Sequence, residues 1–285
     1  MERIGIIGTG SMGSMLADAL IASKALSPSQ LIVTNRTPVK AEAVAERHPG
    51  VTVATNNTQV AREARMLLLC VKPLEYSSIL LELQEELTPH HLLITITSPV
   101  QLERLEELVS CAVARVVPSI TNAAASGVCL CEFGTRITPE LREKILSLFS
   151  AFSQPIEVPE QFLRISSDIS SCGPAFLSYI LRNMIDDAVE ETGISTEAAS
   201  YLAMQMVIGM AELLKKERFS LSTLEQRVCV PGGVTGEGLI ALQQSVPGLF
   251  RQVYQRTHRK FAEDIEVVKL QLQHVPPFEL SPNRS

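Results

Sequence analysis

The feature that most constrains this chain is a glycine-rich turn between an apolar run and a helical pattern. Arg3-Ile4-Gly5-Ile6-Ile7 reads as a buried strand, and Gly8-Thr9-Gly10-Ser11-Met12-Gly13 follows it directly and opens a helix running to Lys24. The pattern G-x-G-x-x-G means little alone; between a strand and a helix it is the mark of a dinucleotide-binding βαβ unit. Gly8 permits the tight turn, Gly10 lets backbone approach a pyrophosphate, and Gly13 lets helix pack closely on strand. The N–H groups at the helix start, at the positive end of its dipole, suit phosphate. Gly8, Thr9, Gly10, Ser11, Met12 and Gly13 are therefore cofactor-binding candidates. The alternative is a glycine-rich turn without a ligand.

The pattern continues as this start demands. Leu31–Thr34, Val51–Ala54, Met66–Val71, Leu92–Ile96 and Cys111–Val117 read as strands, several of them apolar on both faces. Helical stretches 12–24, 38–48, 74–86 and 101–109 alternate with them. Such alternation predicts a doubly wound α/β sheet of Rossmann type. Val128–Phe133 reads as a further strand, and 139–152 as a helix with Thr138 as N-cap and Pro139 at its first position. From about residue 160 strand alternation stops. Residues 174–192, 195–217, 235–245 and 247–273 carry helical spacing, with Gly193 as a stop and Ser195 as a restart. We expect three parts: a Rossmann domain over 1–159, an all-helical domain over 160–274, and a Pro-rich tail over 275–285, disordered or loosely attached. The second part is apolar on more than one side, at Leu202, Met204, Met206, Val207, Ile208, Met210, Leu213 and Leu214. A helix-rich interface in a homodimer or larger homo-oligomer is the economical explanation.

The end of the second strand selects the cofactor. An NAD site ordinarily has Asp or Glu there to accept from the ribose hydroxyls. Here the residues are Thr34-Asn35-Arg36-Thr37, without a carboxylate. Arg36 is a fixed cationic fork suited to a 2′-phosphate, or else a solvated loop charge. NADP(H) is the favoured cofactor, with NAD(H) as the alternative. After the fourth strand come Val71-Lys72-Pro73, at the strand ends where ligands sit. Lys72 is placed there to meet cofactor or substrate, or is a surface lysine. Asn57, at the start of the preceding helical stretch, either caps that helix or meets the adenosine ribose.

Composition narrows the classes. The net charge of −6 disfavours a nucleic-acid binder. No apolar run approaches the ~20 residues of a bilayer span, and Met-Glu-Arg ahead of a short strand does not read as a signal peptide. A cytoplasmic protein with no membrane partner is expected. The six cysteines (Cys70, Cys111, Cys129, Cys131, Cys172 and Cys229) lack zinc spacing and read mostly as buried reduced thiols, so no metal is expected. None of the five histidines lies in a motif, and His90-His91 reads as a solvated turn.

In order and spacing, Gly8–Gly13, Asn35-Arg36, Val71-Lys72-Pro73, Gly173-Pro174-Ala175 and Pro231-Gly232-Gly233-Val234-Thr235 resemble the pyrroline-5-carboxylate reductases over roughly residues 1–273. Within that family the chain looks most like the late-competence branch of bacilli. The resemblance implies a Rossmann domain followed by a helical domain that interlocks with a second subunit. It implies reduction of a small imino acid, 1-pyrroline-5-carboxylate, to L-proline with NAD(P)H. It also makes Gly232, Gly233, Val234 and Thr235 substrate-binding residues, with the Thr235 hydroxyl nearest the ring nitrogen and Thr235 and Lys72 as candidate catalytic side chains. Without the resemblance, Pro-Gly-Gly reads as a helix-joining turn.

The substrate half departs from the family pattern. Met-Pro-Asn-Thr-Pro-Ala becomes Val117-Pro118-Ser119-Ile120-Thr121-Asn122. Ser-Gly-Ser-Gly-Pro-Ala-Tyr becomes Ser170-Ser171-Cys172-Gly173-Pro174-Ala175-Phe176, and the serine before Pro-Gly-Gly becomes Val230. A second reading is therefore a catalytically weakened or inactive paralogue with a regulatory part in competence or sporulation. A third keeps catalysis but changes substrate, to another cyclic imine or a 3-hydroxy acid; the lack of a catalytic histidine weighs against the hydroxy acid. The first half alone also fits a deazaflavin-linked reductase, against which Pro231–Thr235 argues.

Overall fold

The structure is a computed structural model and describes residues 2–278. The chain forms two compact units, one of residues up to Cys172 together with those from Thr257 onward, the other Gly173–Arg256.

The first unit is built on eight strands: β1 (Ile4–Ile7), β2 (Leu31–Thr34), β3 (Thr52–Val53), β4 (Met66–Leu69), β5 (Leu92–Thr95), β6 (Ala112–Val117), β7 (Val128–Phe133) and β8 (Gln154–Glu157). Their order is β3-β2-β1-β4-β5-β6-β7-β8. All neighbours pair parallel except β6 with β7, where Arg115 stands opposite Glu132. The helices are α1 (Ser11–Ala22), α2 (Pro38–Arg47), α3 (Asn57–Glu63), α4 (Tyr76–Leu83), α5 (Leu102–Leu108), α6 (Pro139–Ser150) and α7 (Glu160–Ser167). Strand residues alternate between two cores, as a period of two requires. Ile4, Ile6, Leu68 and Ile94 join Leu16, Leu20 and Phe149 on one face. Ile7, Leu67, Leu69 and Leu93 join Leu80, Leu105 and Val113 on the other. The expected doubly wound sheet is therefore present.

The second unit is helical: α8 (Gly173–Thr192), α9 (Thr196–Lys215), α10 (Leu221–Val228), α11 (Val234–Ser245) and the first part of α12 (Leu249–Leu272). Ser195 caps α9 by accepting from the Ala198 N–H. Gly193, in the left-handed region at φ +72°, ends α8. The unit buries little of its own apolar surface: Leu202 is 60% exposed, Met204 57% and Ile208 52%.

Several features differ from the sequence reading. The strand β8 is missing from the sequence reading because it is an exposed edge strand with Pro155, without the apolar run that marks the central strands. Helices α7 and α10 are missing because each is only two turns long. The division expected at residue 160 also differs from the compact units: α7 belongs to the first, and so does the chain from Thr257 onward. Val268, Leu272 and Val275 are buried in its second core. The expectation of a loosely attached tail fails for residues 275–278. Val275 is fully buried, Pro276 O accepts from Gln84 Nε2 at 2.7 Å and Phe278 N donates to Glu107 O at 3.0 Å. The remainder of that expected tail lies outside the described residues.

His91 is a further correction. It is 6% exposed rather than solvated. Its Nδ1 accepts from the Thr88 N–H at 3.0 Å and its Nε2 donates to Ala61 O at 2.9 Å, which fixes a neutral tautomer. Capping the turn before β5 holds the ring in; His90 stays exposed.

Candidate functional site

In the order β3-β2-β1-β4 the strands are added outward in one direction from β1 up to β3 and in the other from β4 onward, and a ligand crevice belongs outside the strand ends at the switch point between β1 and β4. A cleft of about 560 Å³ lies there. Gly8 and Gly10 line it from the end of β1, Asn35 and Arg36 from the end of β2, Asn57 from α3, and Val71 and Lys72 from beyond β4. Pro73 follows as the first residue of a 3₁₀ turn, Pro73–Glu75, that leads into α4.

The glycines divide the work as their surroundings dictate. Gly8 has φ +98°, and a Cβ there would meet Cys70 O at 2.6 Å. A Cβ on Gly13 would meet Gly8 O at 1.9 Å. Both are demanded by packing. A Cβ on Gly10 would meet nothing within 4 Å, so its absence leaves open space beside the loop. Gly10 is the N-cap of α1 and offers no side chain to the first turn, which leaves the N–H groups of Ser11, Met12 and Gly13 outside the intrahelical ladder. The first turn has no acidic residue to compete for them. Thr9 is buried and its Oγ1 lacks a hydrogen-bond partner. Open space at Gly10 and free helix-terminal donors are what a phosphate-bearing ligand would fill and satisfy.

Asn35 has a job that the sequence does not announce. Its Oδ1 accepts from the Thr9 N–H at 3.0 Å and its Nδ2 donates to Thr37 O at 3.1 Å. It ties the glycine loop to the turn after β2. Arg36 is 86% exposed and pairs through Nη1 with Glu75 Oε1 at 2.7 Å. Glu75 was overlooked in the sequence, since nothing in the spacing shows that the turn after β4 faces the turn after β2. Lys40 also lines the cleft from the first turn of α2.

Asn57 is not a cap. Asn56 is the N-cap of α3, accepting from the Gln59 N–H at 2.8 Å, while Asn57 donates from Nδ2 to Glu82 Oε2 at 2.8 Å. The signal was one residue off because two asparagines stand together. At the floor of the cleft Cys70 is a free thiol, and burial pushes its pKa far up, so it is not a thiolate nucleophile. Tyr76 is fully buried, shares a 2.5 Å hydrogen bond with Thr95 Oγ1, and is pushed up to about 12 by desolvation. It fixes the ends of β4 and β5 rather than moving protons.

The family-derived residues of the second half fall in two places. Ser119 is 1% exposed; its Oγ donates to Ser170 O at 2.8 Å, and Ser171 Oγ donates to Pro118 O at 3.1 Å. These hydroxyls join the turn after β6 to a π-helical turn over Asp168–Cys172. Gly232, Gly233, Val234 and Thr235 stand at the start of α11 in the second unit. Gly232 is in the left-handed region at φ +73° and Gly233 is an N-cap without a side chain, so the first N–H groups of α11 are also uncapped by side chains. Val230 is exposed where the family pattern has a hydroxyl.

Among the described residues, no group of three or more His, Cys, Asp or Glu is arranged to hold a metal ion, and no helix is long and apolar enough to cross a membrane.

Residues 160–264 match the family model "Pyrroline-5-carboxylate reductase dimerisation", and residues 3–99 match "NADP oxidoreductase coenzyme F420-dependent". Among known proteins, the chain is 45% identical to ComE operon protein 4 of Bacillus subtilis, covering 94% of this chain and 98% of that one. It is 30% identical to pyrroline-5-carboxylate reductase 3 of the same species, covering 92% and 96%. Its fold is that of pyrroline carboxylate reductase from Plasmodium falciparum, solved with NADP bound, at a TM-score of 0.78, 23% identity and coverage of 95% and 98%. The similarity runs through both units, and the chain belongs to the pyrroline-5-carboxylate reductase family.

Proposed function

We propose that this protein is an NADP(H)-dependent reductase of 1-pyrroline-5-carboxylate, forming L-proline. The observation that carries the reading is the cleft at the switch point, where an uncrowded Gly10 faces Arg36 and Lys40 across the strand ends. The N–H groups of Ser11, Met12 and Gly13 are the donors for the pyrophosphate, and Arg36 with Lys40 supplies the charge for a 2′-phosphate. Asn35 keeps the loop in the shape that this needs. Lys72 adds a cation at the same edge, and Asn57, tied to Glu82, flanks the adenosine end.

NADPH supplies the hydride when bound. The remaining work is positioning. The Val234 and Thr235 N–H groups that open α11 suit the substrate carboxylate, the Gly233 N–H being held by Val230 O at 3.0 Å, and the Thr235 hydroxyl would donate a hydrogen bond near the ring nitrogen. A protonated imine is already electrophilic, so no histidine base is required. The exposed apolar faces of α8 and α9 support a homodimer built on the second unit.

A second reading, a reductase-like chain with a regulatory part in competence or sporulation, is favoured by one observation. The Ser119 hydroxyl is engaged with Ser170 O and Val230 offers no hydroxyl, so polar contacts open to a substrate are fewer than the family pattern provides. Complementation separates the two. Expression in a proline auxotroph should restore growth without proline, and Arg36→Asp should weaken NADPH binding more than NADH binding in a titration. Absence of growth with the chain expressed and folded would leave the regulatory reading standing.

A further inference from the structure

We propose that Glu75 sets how strongly the cleft favours a 2′-phosphorylated dinucleotide, by competing with that phosphate for Arg36. The inference rests on the reading of the cleft as an NADP(H) site, and it concerns a residue that this reading does not use.

The two members of the pair are held very differently. Glu75 closes the Pro73–Glu75 turn just ahead of α4. Its Oε2 accepts from the Lys72 N–H at 3.3 Å and its side chain is 29% exposed. One carboxylate oxygen is thus anchored on backbone, and the other reaches Arg36 Nη1 at 2.7 Å. Arg36, at 86% exposure, is the solvent-exposed member. The pair spans from the turn after β2 to the turn after β4, across the cleft that both residues line.

A 2′-phosphate arriving at Arg36 must take the guanidinium from Glu75 and then lie near a fixed carboxylate of like charge. A dinucleotide without that phosphate needs neither step. Glu75 therefore opposes NADPH selectively and widens cofactor use toward NADH, while Arg36 acts in the other direction.

The test is a titration of the full chain with NADPH and NADH, followed by cofactor fluorescence or calorimetry, for the native protein, Glu75→Gln and Glu75→Ala. Gln keeps an acceptor for the Lys72 N–H but lacks the charge. The proposal expects Glu75→Gln to tighten NADPH by about threefold to tenfold and to change NADH by less than about twofold. The gain should shrink as ionic strength rises from about 0.05 to 0.5 M. Equal changes for both cofactors, or weaker NADPH binding, would overturn it. If Glu75 only braces its turn, Glu75→Gln changes neither constant and Glu75→Ala weakens both, which also overturns it. A native chain that binds NADH but not NADPH contradicts the NADP(H) reading itself and this inference with it.

Discussion

The Thr9 backbone N–H donates to the Asn35 side chain at 3.0 Å, so the shape of the phosphate loop is held from the neighbouring strand. Removing that acceptor leaves Thr9 N–H without its partner in a buried residue, at a cost of about 1–2 kcal/mol. Asn35→Ala should lower stability by that amount in urea denaturation and weaken NADPH by about tenfold. Unchanged affinity would mean that the loop keeps its shape without Asn35.

Gly10 and Gly13 predict opposite phenotypes. Gly10→Ala adds a methyl where nothing lies within 4 Å, so its thermal midpoint should stay near the native value while NADPH binding falls by at least about tenfold. Gly13→Ala drives a methyl to 1.9 Å from Gly8 O and should destabilise the fold by about 2 kcal/mol or more. Thermal unfolding and NADPH titration of both variants check this. Equal loss of stability would remove the distinction between cradle and packing glycine.

These contrasts show what the sequence could and could not convey. Seven of the eight strands, the turn at Gly8–Gly13 and the positions of Arg36 and Lys72 were legible because local pattern dictates them: apolar runs, a required positive φ, a charge after a strand. Glu75 was not, because its meaning depends on two turns that only the sheet order brings face to face. Asn35 lines the cleft, as its place after the second strand suggests, but its hold on Thr9 is a tertiary contact across 26 residues. His91 looked like a solvated turn residue because burial of a polar ring depends on the Thr88 and Ala61 groups that meet it. The roles of residues 232–235 came from family resemblance, not from the physics of the local sequence.

Arg115 is 1% exposed, pairs with Glu132 across β6 and β7, and also donates to Val100 O. Arg115→Met should cost about 3 kcal/mol in equilibrium unfolding, because it leaves a part-buried carboxylate and Val100 O without their donor. Arg115→Met with Glu132→Leu should cost clearly less. A double variant as unstable as the single one would show that the damage is steric, not electrostatic.

Burial raises the Glu132 carboxyl above its ordinary value, against the opposing pull of Arg115. Folding therefore favours the protonated form. Its contribution is fully present below the unfolded value of about 4.3, and is lost as pH rises through the raised folded value. Denaturation midpoints of native and Glu132→Gln proteins from about pH 4 to 7 should show that loss in the native protein and its absence in the variant.

The exposed apolar side chains of α9 predict self-association. Light scattering at low micromolar concentration should give at least twice the 31.1 kDa chain mass. Ile208→Asp, on a residue that is 52% exposed in one chain, should shift it toward the monomer. A monomeric native protein would contradict the reading of this surface.

The most direct test of the account is the amount of proline formed per NADPH consumed when the purified protein is given 1-pyrroline-5-carboxylate. The account predicts stoichiometric proline, faster with NADPH than with NADH, and a rate that collapses in Gly10→Ala while the fold persists. NADPH binding without any proline formed would contradict it and leave a cofactor-binding chain that does not deliver hydride to this substrate.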